Sequence, residues 1–94
     1  MSFFTISHWN TTEWNEELEG LAQDKFVPLI LAQGATRVRM VRTGELSFSV
    51  VTEYTDQAAA EAAQEKIAAI RAQAADELPM TLVGSDGGNV FAAG

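Results

Sequence analysis

The sequence predicts a single α+β domain of order β-α-β-β-α-β, and three observations carry that prediction. Short segments rich in aromatic and β-branched residues flank two long stretches of helical spacing, a hairpin with distinct faces lies between those stretches, and 94 residues leave room for one core. A chain this short buries roughly 60–65% of its unfolded surface, so a second subunit would add stability. The 47% hydrophobic and 20% charged composition is that of a globular protein.

The first strand is predicted over residues 3 to 9, Phe-Phe-Thr-Ile-Ser-His-Trp, with Phe4, Ile6 and His8 on one face and Phe3, Thr5, Ser7 and Trp9 on the other. Both faces carry large apolar groups, which implies helices on one side and a further subunit on the other. From Thr11 to Gln33, Trp14, Leu18, Leu21, Ala22, Phe26 and Leu29 recur at helical spacing, and Gly34 ends the helix. Pro28 predicts a kink or break near Val27. Lys25 falls in the apolar arc and is expected to snorkel outward.

Residues 35 to 43 and 46 to 54 form the hairpin around Thr43-Gly44-Glu45. A three-residue loop would set Val38 opposite Val50 and Met40 opposite Phe48, gathering these with Leu46 on an apolar face. Arg37, Arg39, Ser47, Ser49, Val51 and Glu53 then share the other face, with Arg37 and Glu53 as diagonal neighbours. Thr55 or Asp56 caps a second helix whose stripe Ala59, Ala63, Ile67, Ile70, Ala74 and Leu78 predicts close packing on a sheet, and Pro79 ends it. A last strand, Met80 to Gly84, leads into a turn at Ser85-Asp86-Gly87-Gly88 and a short tail.

Composition excludes several functions. The net charge of −7 would repel a polyanion, so nucleic acid is not an expected partner, although Arg37, Arg39 and Arg42 concentrate half of the six basic residues in one window. No apolar run approaches the ~20 residues of a membrane span, and the amino terminus lacks a basic leader region, which makes a cytoplasmic protein the expectation. One histidine and no cysteine cannot build a zinc or 2-His-1-carboxylate site within one chain. The glycine-rich Gly84–Asn89 run lacks phosphate-loop spacing, and no Gly-x-Ser-x-Gly elbow is present.

The element order, the charged hairpin and the strand-to-helix junction Glu53-Tyr54-Thr55-Asp56-Gln57-Ala58 resemble the dimeric α+β-barrel superfamily, in particular the antibiotic-biosynthesis-monooxygenase-like proteins. The resemblance implies a ferredoxin-like subunit, a homodimer formed by facing sheets, and a small-molecule cavity between sheet and helices or inside the barrel. It also implies an activity among cofactor-independent monooxygenases, haem-degrading enzymes and isomerases. The helix after Tyr54 has no histidine where haem-degrading relatives carry one, so no haem is expected, and no other cofactor is implied.

His8 and Tyr54 are the candidate catalytic residues: an imidazole able to move a proton near neutral pH, and a phenol able to donate to a bound carbonyl or phenolate. Trp9, Trp14, Arg37 and Arg39 are candidate ligand contacts. Each has a structural alternative. Asn10 as N-cap, Glu13 at N3 and a Trp9–Trp14 staple would explain most of Ser7–Trp14 as a helix start, and Arg37 and Arg39 could form interface ion pairs with Glu53 or Glu45. The expected function is a small-molecule-binding homodimer acting on an aromatic or quinol-like substrate, or a binding module without turnover.

Overall fold

The computed structural model describes residues 2–94. It consists of β1 (Phe3–Thr11), α1 (Glu16–Leu21), a π-helical segment (Ala22–Phe26), α2 (Val27–Leu31), β2 (Arg37–Gly44), β3 (Ser47–Tyr54), α3 (Gln57–Glu77) and β4 (Met80–Asn89). The four strands form one sheet in the order β2-β3-β1-β4, every pair antiparallel. This is the ferredoxin-like arrangement, with β1 and β3 central and the helices on one face.

Alternation along the strands decides what that face holds. Trp9, Phe48 and Met40 point toward the helices and pack with Phe26, Ile70 and Ala74. Phe4, Ile6, His8 and Val51 occupy the opposite face, which no helix covers. The two-sided character expected of β1 is therefore present.

Three local expectations are corrected. The first helix starts later than Asn10, because β1 continues through Thr11 and Asn10 is a ladder residue between Ser47 and Thr81. Asn15 is the N-cap instead: its side chain accepts from the Leu18 N–H at 2.8 Å, and Glu16, Glu17 and Glu19 complement the helix dipole in the first turn. Trp9 and Trp14 meet through a common neighbour, Phe48, which Trp9 stacks on and Trp14 approaches edge-on.

The hairpin keeps its predicted faces but not its register. Val38 opposes Thr52, Met40 opposes Val50 and Arg42 opposes Phe48. Gly44 pairs with Ser47 across a Glu45-Leu46 turn, and a register shift between Arg42 and Gly44 makes Thr43 a bulge. That extra residue restores the side-chain parity which a plain two-residue turn would reverse. Leu46 thus sits exposed in the turn rather than on the apolar face, and Arg37 lies directly opposite Glu53.

The Ser85–Gly88 segment is strand rather than turn. Ser85, Asp86, Gly87 and Gly88 pair with Ser7, Ile6, Thr5 and Phe4 along the sheet edge. Gly87 lies under the Phe3 ring, where a Cβ would come within 3.1 Å of Phe3 Cζ, so the glycine admits a close approach instead of bending the chain.

The other helix expectations stand. The break near Pro28 takes the form of the π segment: the Val27 N–H donates to the Ala22 carbonyl, five residues back, and Pro28 falls in the first turn of α2, where no donor is needed. Gly34, at φ 100°, ends the region in the left-handed conformation that glycine adopts without strain. Lys25 does snorkel, its Nζ paired with Glu77 of α3. Asp56 caps α3 by accepting from the Ala59 N–H at 2.8 Å.

Candidate functional site

Between the sheet and the helices lies a cavity of about 700 Å³, within the roughly 300–1,000 Å³ typical of small-molecule sites. Its aromatic wall comes from two strands and the loop between β1 and α1. Trp9 of β1 and Phe48 of β3 are nearly parallel, 5° apart with centroids 6.1 Å apart, and Trp14 meets Phe48 at 73° and 5.9 Å. Phe26, Ile30, Ile67 and Ile70 close the helical side.

Polar groups on this lining are few. Ser7 is buried and accepts from Trp9 Nε1 at 2.9 Å, which satisfies the indole and leaves the serine's own proton able to donate. Thr52, also buried, borders the cavity from β3. Arg71 enters from α3. Burial lowers its guanidinium from the ordinary value, and the nearby Tyr54 partly offsets that effect. At one side Arg42 lies over Trp14, with Cζ 4.2 Å from the ring centroid, while donating to the carbonyls of Gly44 at 3.2 Å and Glu45 at 2.7 Å. Trp14 Nε1 donates to Glu19 at 2.6 Å.

The structure separates the residues singled out from sequence. Trp9 and Trp14 both line the cavity. Tyr54 faces the helices, but it is 1% exposed and does not border the cavity; burial raises its phenol above the ordinary value, opposed by Arg71. His8 points to the uncovered face, where Nδ1 is 2.9 Å from Ser49 Oγ and Nε2 is 3.5 Å from Asp86 Oδ2. The sheet therefore stands between His8 and the cavity. Arg37 is exposed on that same face, with no ion pair to Glu53 within 4 Å among the described residues. Arg39 is exposed and borders the cavity at the edge strand.

Ser7, Thr52 and Arg71 were missed at the sequence level, yet each had a signal. Ser7 shares strand parity with Trp9, and Thr52 with Phe48. Arg71 follows Ile67 by four and precedes Ala74 by three, which places it on the buried arc of α3. Among the described residues, no three His, Asp or Glu side chains gather in a metal-binding arrangement, and no helix is long and apolar enough to cross a membrane.

No protein-family model matches the chain, nor does any curated protein sequence. Solved structures do match. SnoaB, a cofactor-independent oxygenase from Streptomyces nogalater, is 15% identical over 98% of this chain and 95% of its own, with a TM-score of 0.74. The chain has a ferredoxin-like fold. HapK from Hahella chejuensis is 18% identical over 100% of this chain and 96% of its own, at a TM-score of 0.73. A dimeric ferredoxin-like protein from an uncultured marine organism is 19% identical over 99% and 97%, at 0.69. At these identities the likeness is one of fold, which leaves the activity to the site itself.

Proposed function

We propose that this chain forms a homodimer that binds a small aromatic molecule in the cavity between sheet and helices. We further propose that it oxidises a quinol- or anthrone-like substrate without metal or organic cofactor. The observation that carries the reading is the cavity: about 700 Å³, walled by Trp9, Trp14 and Phe48, with buried hydroxyls at Ser7 and Thr52. The fold shared with a cofactor-independent oxygenase supports the enzymatic form.

In that form the cavity holds the substrate as its anion, with hydroxyl donors aimed at the oxygen where charge develops. The substrate's proton passes to solvent water, and the anion gives an electron to dioxygen. A carbon–oxygen bond forms between the two radicals, and the peroxide takes a proton back from solvent and loses water. A CH₂ group thereby becomes a carbonyl, one oxygen atom entering the product and the other leaving as water. Neither His8 nor Tyr54 borders the cavity, so neither is the direct base for a molecule bound there. This placement favours a second reading, a binding module without turnover.

Oxygen uptake by the purified protein with anthrone separates the two. Uptake that falls by about tenfold or more in a Trp9→Ala, Ser7→Ala double variant supports the enzyme. Ligand-dependent thermal stabilisation without uptake leaves the binding module.

A further inference from the structure

Six basic residues serve a chain of net charge −7, and Arg71 differs from the other five. Arg37, Arg39, Arg42 and Lys66 are exposed. Lys25 is partly buried but paired with Glu77. Arg71 alone is partly buried with no carboxylate within 4 Å and no side-chain hydrogen bond among the described residues, and it lines the cavity. A guanidinium removed from water without a partner is costly. An anion arriving beside it would offset that cost.

We infer that Arg71 is the binding residue for a carboxylate, and that the ligand is an aromatic carboxylic acid whose ring system packs against Trp9, Trp14 and Phe48. This rests on the proposed use of the cavity and adds the chemical class of its ligand. Three features point the same way. The guanidinium fork matches two carboxylate oxygens as an ammonium does not. Of the other two arginines on the lining, Arg42 already donates to Gly44 and Glu45 carbonyls and stacks on Trp14, and Arg39 is exposed to water at the edge strand, which leaves Arg71 as the uncommitted donor that is partly buried. The single acidic residue on the lining, Glu19, already accepts from Trp14. The surrounding negative charge repels anions elsewhere on the protein, so carboxylate affinity has to be local.

The test titrates 2-naphthoate and its uncharged counterpart 2-naphthamide into the full chain at neutral pH, following tryptophan fluorescence. The acid is expected to bind about tenfold or more tighter than the amide. Arg71→Met should erase that preference while leaving amide affinity within about twofold, and Arg71→Lys should retain part of it. Equal wild-type affinities overturn this inference while leaving the cavity reading intact, and they do so even if Arg71→Met does not fold. A preference that survives in a folded Arg71→Met also overturns it. If neither compound binds, the cavity reading fails and takes this inference with it.

Discussion

Asn10 and Asn15 stand five residues apart, and each begins a pattern that could start a helix. The choice between them is tertiary: β1 pairs with β3 through Asn10 and with β4 through Thr11, which keeps that stretch extended. Local chemistry could not reveal it, because Asn10 with Glu13 and Asn15 with Glu16 and Glu17 both satisfy capping rules. The difference is measurable. Asn15→Ala should cost about 1 kcal/mol in urea unfolding, and Asn10→Ala should stay within about 0.5 kcal/mol, as for an exposed ladder position. Tyr54 gives a second prediction at this scale. Its phenol is raised above the ordinary value of 10.0, so on alkalinisation the unfolded chain releases that proton before the folded one does. Stability should therefore fall as pH rises above about 10, and Tyr54→Phe should lessen the fall in thermal melts taken across that range. The histidine that stood out in the sequence belongs to another face altogether. Because the sheet separates His8 from the cavity, His8→Ala should leave 2-naphthamide binding unchanged within about twofold.

At the scale of elements, the two helical regions were legible to different depths. Pro28 forecast a break, and its physical cause is the one that operates: a missing donor and a ring that clashes with the preceding turn. That the chain would answer with a π segment was not legible, because the alternatives differ only in which carbonyl each N–H meets. The alanine stripe of α3 correctly forecast close packing, and Ala63 and Ala74 are buried. Arg71 was passed over because a charged residue beside an apolar stripe is ordinarily solvated. A contact between elements supplies the prediction here. Lys25 of the π segment and Gln73 hydrogen-bond Glu77 near the end of α3, and these bonds hold its carboxyl below the ordinary value of 4.5. A depressed folded value means the stabilisation is present above about pH 4.5 and is lost as pH falls through the folded value. Glu77→Gln should accordingly lower the melting temperature slightly at neutral pH, as expected for an exposed pair. Wild type and variant should converge in acid, which calorimetry across that pH range would show.

For the whole molecule, the β-α-β-β-α-β order and the two-faced first strand were readable because alternation and helical period are local properties of the chain. Which face the helices cover was not readable, and that one choice assigns Trp9 to the cavity and His8 to the far side. The proposed dimer makes use of the far side. Phe4, Ile6 and Val51 are only partly buried there within one chain, and Val41 on the same face is 48% exposed. Covering that face with a second copy would supply burial that the subunit lacks, since its own core is built around a cavity. Introducing a charge at the middle of that face should then separate the subunits. Light scattering at micromolar concentration should report about twice the chain mass for wild type and a single chain mass for Ile6→Glu. Because Trp9 and Phe48 wall the cavity from the sheet face opposite Ile6, a monomeric Ile6→Glu that remains folded should still bind 2-naphthamide. A monomeric wild type would remove the dimer and leave the cavity reading standing. Loss of binding together with dissociation in a folded variant would show instead that the second subunit shapes the site.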